Sequence, residues 1–148
     1  MKKVAGKNFT LVQAGKFSEL KQYELKHPKM DRKVHGKLFL RDELGLTGMQ
    51  ISLNQLPAGI SVPFYHSHKE NEELYVFVGG KGQIKIDDQE LDVEEGTVVR
   101  IAPEGVRTWR NNSDHDLYYL VIQAKENSLD RDTFDDGIVP EIPVEWKN

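Results

Sequence analysis

The sequence predicts an all-β fold, an antiparallel barrel or sandwich of about ten short strands. Two observations carry that prediction. Apolar residues recur with a period near two through most of the chain, and turn-forming residues interrupt them roughly every 8–12 residues. With 148 residues and no cysteine, the chain suits one domain that closes its own core without disulfides.

The elements follow in order. Val34 to Leu40 is a short extended segment ending at Arg41-Asp42. Met49, Ile51 and Leu53 alternate with Gln50, Ser52 and Asn54, which predicts a strand with its apolar side inward. Leu74 to Val78 is apolar on both faces and reads as a central strand covered on both sides. Gln83–Ile86 and Glu90–Val93 flank Asp87-Asp88-Gln89, which is hairpin chemistry. Val98 to Ile101 runs into the turn Pro103-Glu104-Gly105, and Val106–Asn111 and Leu117–Gln123 are strands around the polar turn 112–116.

Two regions read less simply. Residues 18–26 fit either a short helix capped at Ser18 or a strand carrying Tyr23 and Leu25. The strand is preferred, because a hairpin with Val34–Leu40 would then close across Pro28–Arg32. The tail from Ser128 is acidic and broken by Gly137, Pro140 and Pro143. It predicts an irregular arm pinned to the barrel by Ile138, Val139, Ile142 and Trp146. The whole then reads as a single domain over residues 1–148, with a motif core at 59–112 and irregular arms at 1–33 and 125–148.

Charge narrows the partners. With 20 Lys+Arg against 24 Asp+Glu, the formal charge is −4, which offers nucleic acid no basic face. Lys7, Asn8 and Gln13 interrupt any apolar stretch after Met1-Lys2-Lys3, and no apolar run approaches the ~20 residues that span a bilayer. The expected setting is the cytoplasm, with neither membrane nor nucleic acid as partner.

The chemistry concentrates at His66-Ser67-His68. Residues two apart on a strand face the same way, so both imidazoles can converge on one point. Glu73 opens the most apolar strand, where a carboxylate must be paired, protonated or bound to metal. Two His and one carboxylate suit Fe(II), Mn(II), Ni(II) or Zn(II). A bare His-x-His also arises by chance on surface strands, so the tripeptide alone is only a hypothesis.

The stretch from Gly59 to Asn112 resembles the cupin superfamily, of the small single-domain cupin-2 type. Its first motif is matched by Gly59, His66, His68, Glu73 and Gly80, and its second by Gly96, Pro103, Gly105 and Asn112. Gly59 and Gly96 each stand one residue further from the next landmark than in the family pattern. The resemblance implies a jelly-roll, or double-stranded β-helix, barrel. It implies a divalent transition metal on His66, His68 and Glu73, a small-molecule ligand of sugar or organic-acid type, and a homodimer. One departure matters, because Thr108 stands where the family usually has a fourth, imidazole ligand. Such a site holds its ion more loosely and keeps an open position.

Strand alternation places Tyr75 and Phe77 on the face of Glu73, as an aromatic lining or as plain core. With Thr108 turned inward, its hydroxyl would hold a metal-bound water. Arg110 would share its side and meet an anionic substrate, while Arg107 and Trp109 would face away. Three readings stay open: a metal-dependent isomerase, decarboxylase or dioxygenase; a non-catalytic small-molecule binder with weak or no metal; and a dimerisation scaffold. The first 30 residues lack the helices of a helix-turn-helix, which removes a DNA-binding variant.

Overall fold

A computed structural model describes residues 1–26 and 33–146. Its strands are β1 (Lys2–Ala5), β2 (Thr10–Gln13), β3 (Glu24–Lys26), β4 (Lys33–His35), β5 (Lys37–Phe39), β6 (Gln50–Leu56), β7 (Asn71–Gly79), β8 (Lys81–Ile86), β9 (Gln89–Glu94), β10 (Val98–Ile101), β11 (Arg107–Arg110) and β12 (Leu117–Lys125). A five-stranded sheet has the order β10-β7-β12-β6-β5, a three-stranded sheet the order β11-β8-β9, and all pairings are antiparallel. This is the all-β jelly roll that the two-residue period predicts.

Between the sheets lies one aromatic and aliphatic core of Tyr75, Phe77, Ile84, Ile101, Trp109, Leu117, Tyr119 and Val121 with their neighbours. Rings meet edge-on where Trp109 crosses Tyr75 and Tyr119 at 5.4 and 6.0 Å between centroids, the arrangement the ring quadrupoles favour. The Trp109 indole N–H, too polar to bury alone, donates to the Tyr119 hydroxyl at 2.8 Å. Gly80 takes φ +84° where β7 turns into β8, and a Cβ there would sit 2.3 Å from the Asp116 carbonyl oxygen. Only glycine lets β7 and β12 close at that point.

The structure departs from the sequence reading in several places. Phe17–Gln22 is a 3-10 helix with Leu20 buried beneath it, and the strand preference holds only from Glu24, where β3 pairs with β4. The expected hairpin turn at Pro28–Arg32 lies outside the described residues. The N-terminal arm is not irregular, since β1 and β2 form a hairpin. Val34–Leu40 is split at Gly36, whose φ is +82°, into β4 and β5.

In β6 the alternation is inverted. Ser52 and Asn54 are 2% exposed, while Ile51 and Leu53 are only half-buried. Polar side chains go inside because the ammonium of Lys37, on the adjacent strand, is bonded there. It donates to Asn54 Oδ1 at 2.8 Å and Ser52 Oγ at 3.3 Å. The C-terminal pins also fail. Beyond the short helix Thr133–Asp136, Ile138, Val139, Ile142 and Trp146 all face solvent, Trp146 at 87% exposure.

Candidate metal centre

Strand order brings the three candidate ligands together. His66 and His68 lie on the segment that leads into β7. His66 is held by an antiparallel bridge to Arg107, with His66 N–H to Arg107 O at 3.1 Å and Arg107 N–H to His66 O at 3.0 Å. The His68 amide donates to the Pro103 carbonyl at 2.8 Å. These backbone bonds orient both imidazoles, whose centroids are 5.3 Å apart, toward the interior.

Glu73, 4% exposed, points up the same face from β7. His68 Nε2 is 3.1 Å from its Oε1 and His66 Nε2 is 3.7 Å from its Oε2. One ligand atom from each of the three residues falls within 4.8 Å of the others. His66 Nδ1 and His68 Nε2 are buried without a hydrogen-bond partner among the described residues. Two imidazoles and a carboxylate converging in this way fit a first-row divalent ion, which takes such nitrogen and oxygen donors.

Protonation states suit that role. Burial pushes the His68 imidazole below its usual range, against the opposing charge of Glu73, so its ring is neutral at pH 7. Burial alone would raise the Glu73 carboxyl. The adjacent His66 imidazole and the hydrogen bonds and charge of Arg107 outweigh it and hold the group at about 2. The site therefore offers neutral imidazole and ionised carboxylate, the forms that bind metals.

Arg107 is the residue that sequence reasoning turned the wrong way. β11 presents Arg107 and Trp109 to the interior, and Arg107 is 0% exposed. Its Nη2 and Nε donate to Glu73 Oε2 at 2.6 and 3.1 Å, and its Nη1 to the Gly105 carbonyl at 2.7 Å. Tyr75 OH also donates to Oε2, at 3.1 Å, which leaves Oε1 as the less committed oxygen.

Thr108, expected to face the metal, instead donates to the Val62 carbonyl at 3.1 Å from the other side of the strand. Arg110 is exposed and bonded to Gln83 Oε1 at 2.6 and 2.8 Å. Both line a shallow outer cleft of about 180 Å³. The motif asparagine shifts with them. Asn111, not Asn112, is buried, and its amide donates to the Leu56 and His115 carbonyls. The phase was readable from Trp109, which on burial grounds is a better inward residue than Thr108. Of the aromatic pair, Tyr75 touches the site, while Phe77 is 1% exposed and packs in the core.

Lys37 was not anticipated at all, and nothing in its neighbourhood of sequence marks it. Burial lowers its amine to about 8 in spite of the distant Glu73 charge. Among the described residues no carboxylate lies within ion-pairing distance of it. A lysine depressed from 10.5 to about 8 costs folding roughly 3 kcal/mol below the lower value. That cost disappears above the upper one, where the ammonium is lost from the unfolded chain as well. Lys37→Met should therefore stabilise the protein by about 1–2 kcal/mol at pH 7, after the loss of two hydrogen bonds is counted. Urea unfolding at pH 7 and at pH 10.5 checks this, and the gain should shrink at the higher pH.

With this geometry in hand, comparison with known proteins is informative. Residues 53–123 match the family model described as Cupin domain. A cupin protein from Bacteroides fragilis is 42% identical, with a TM-score of 0.69 over 79% of this chain and 97% of that one. A protein from Acidithiobacillus ferrooxidans, named provisionally as a sugar phosphate isomerase, is 25% identical, with a TM-score of 0.64 over 78% of this chain and 74% of that one. The Photorhabdus luminescens protein plu4264, at 19% identity and a TM-score of 0.56 over 69% of this chain and 88% of that one, shares the fold. No curated protein matches the chain significantly.

Proposed function

Because the chain belongs to the cupin family, we propose that its barrel holds a divalent transition metal (Fe, Mn, Ni or Zn) on His66, His68 and Glu73. Beside the metal it binds a small oxygenated molecule of sugar or organic-acid type. The observation that carries this reading is the convergence of His66, His68 and Glu73, each with one ligand atom within 4.8 Å of the others. When bound, such an ion supplies Lewis acidity to a substrate oxygen.

The chain's own groups set the conditions for that chemistry. Arg107 keeps Glu73 ionised, and His68 stays neutral because it is buried. Tyr75 holds its proton on the Glu73 side, since burial and the Glu73 charge push its ionisation far up. The rings of Trp109, Tyr75 and Tyr119 pack behind the site and exclude water from its floor. Isomerisation, decarboxylation and dioxygenation all suit such a centre. The name of the Acidithiobacillus ferrooxidans neighbour favours isomerisation of a sugar phosphate.

A second reading is a non-catalytic binder with weakly held metal. The observation that favours it is Arg107, which already occupies Glu73 Oε2. Metal retention separates the two. Protein incubated with each ion and then desalted should keep about one equivalent of one of them. His68→Ala should lose it by at least tenfold, and binding should weaken as pH falls through the imidazole range. No retention of any ion would leave the binder standing.

The same reading includes a cytoplasmic homodimer. Two features support the pairing: the outer face of the large sheet, where Val78 and Val98 are exposed, and the exposed apolar side chains of the C-terminal arm. Sedimentation across a concentration series tests it. Among the described residues no helix is long and apolar enough to cross a membrane.

A further inference from the structure

A cavity of about 370 Å³ opens beside the large sheet, lined in part by Phe39, Arg41, Gln50, Asn71, Gln123 and Lys125. Register places it next to the candidate centre. Gln50 lies directly opposite Gln123, and Gln123 directly opposite Glu73. Residues paired in this way share a face of the sheet. Gln50, Gln123 and Glu73 therefore form one row on the inner face, with Gln50 and Gln123 lining the cavity and Glu73 next in the row beyond them. Asn71, two residues before Glu73, shares the face and donates to Gln123 Oε1 at 3.0 Å.

The lining has a consistent chemistry. Gln50 Oε1 accepts from the Arg41 and Ile51 amides, at 2.9 and 3.1 Å, so its NH₂ group is directed elsewhere. Gln123 accepts from Asn71 through its oxygen, which likewise leaves its NH₂ group to donate. The cavity walls carry two cations, Arg41 and Lys125, and no carboxylate. Lys125 has Glu70 at 3.5 Å. The Arg41 guanidinium has no partner among the described residues. Behind Phe39 stands a third positive charge, the Lys37 ammonium, 4.9 Å from the ring centroid. In a chain of formal charge −4, a carboxylate-free wall of amide donors and cations selects for one ligand class.

We propose that this cavity binds a small polyhydroxylated anion, its carboxylate or phosphate on Arg41 and its hydroxyls on Gln50, Asn71 and Gln123. The row directs its far end toward His66, His68 and Glu73. A guanidinium suits either acid because its paired N–H groups match two oxygens at once. The cavity volume is near the lower end for small-molecule sites, which fits a ligand the size of a sugar acid or sugar phosphate. This inference rests on the proposed function for the far end of the ligand only, since the anion anchor needs no metal.

The test is calorimetric titration of the wild-type protein, with and without added Mn²⁺, using gluconate, glucose 6-phosphate, inorganic phosphate and glucose as probes. Gluconate or glucose 6-phosphate should bind, and the preferred one identifies the acid. Glucose, which lacks the charge, and inorganic phosphate, which lacks the hydroxyls, should each bind at least about tenfold more weakly. Arg41→Ala should weaken the preferred probe by at least about tenfold and leave Mn²⁺ binding unchanged, whereas His68→Ala should abolish Mn²⁺ binding and keep the dependence on Arg41. The proposal is overturned if neither hydroxylated anion binds, if glucose or phosphate binds as well, or if Arg41→Ala has no effect. Anion binding with no Mn²⁺ binding in the wild type would instead overturn the metal reading alone.

Discussion

Replacing Arg107 by alanine is expected to destabilise the protein by about 3–5 kcal/mol, the cost of stranding a buried charge. Arg107 is 0% exposed and gives three hydrogen bonds, two to Glu73 Oε2 and one to the Gly105 carbonyl. Without the guanidinium, Glu73 must either stay ionised with only Tyr75 and the two imidazoles beside it or take up a proton. The Gly105 carbonyl would lose its donor, and the space between β11 and β7 would be empty. Urea unfolding of metal-free protein measures the loss. The double variant Glu73→Gln with Arg107→Ala should recover part of it, because no buried charge then remains. Equal losses in the single and double variants would show that the cost lies in packing rather than in charge. Thr108→His provides the contrast. Its side chain leaves β11 on the Val62 side, so it should leave metal affinity unchanged.

The second large effect is acid lability. The Glu73 carboxyl lies at about 2 in the folded protein against an ordinary value of 4.5. A depressed carboxyl contributes stability that is complete above the unfolded value and disappears as pH falls through the folded one. Here that amounts to about 3 kcal/mol, lost between roughly pH 4.5 and pH 2. His68 adds to the trend from higher pH. Its lowered value means that the unfolded chain takes up a proton first, so stability begins to decline below about 6.5. Thermal midpoints of chelator-treated protein between pH 7 and pH 2.5 should therefore fall in two stages. Glu73→Gln should flatten the lower stage, and a variant that keeps it would place the acid sensitivity elsewhere.

The sequence was most informative where one physical rule acted alone. From Gln50 onward, alternation and turn residues located the strands to within a few positions, because each packs one face on a common core. His66, His68 and Glu73 were legible because ligand chemistry needs those residue types on one face. β11 runs in the opposite phase to the one the cupin resemblance implies, because the burial preference of Trp109 prevails over it. β6 was misread for a different reason. Period two identifies a strand, but which of its faces is interior depends on what lies across from it, and Lys37 supplies that only in three dimensions. The tail is not legible in the same way, because its apolar residues do not pack on their own barrel: Ile138 and Trp146 remain 89% and 87% exposed.

The ion pair between Arg107 and Glu73 has a consequence for the order of events in the life of the molecule. Many small metal sites are left with clustered like charges until an ion arrives, so that assembly waits on supply. Here the chain brings its own neutralising cation and seats it during folding. On the metal reading proposed above, the barrel would close before any ion arrives, and loading would be a later exchange on a finished scaffold. An ion taken up under that proposal would compete with a guanidinium for Glu73 Oε2 or settle for Oε1. The strength of that competitor would then raise the ion concentration needed to occupy the site.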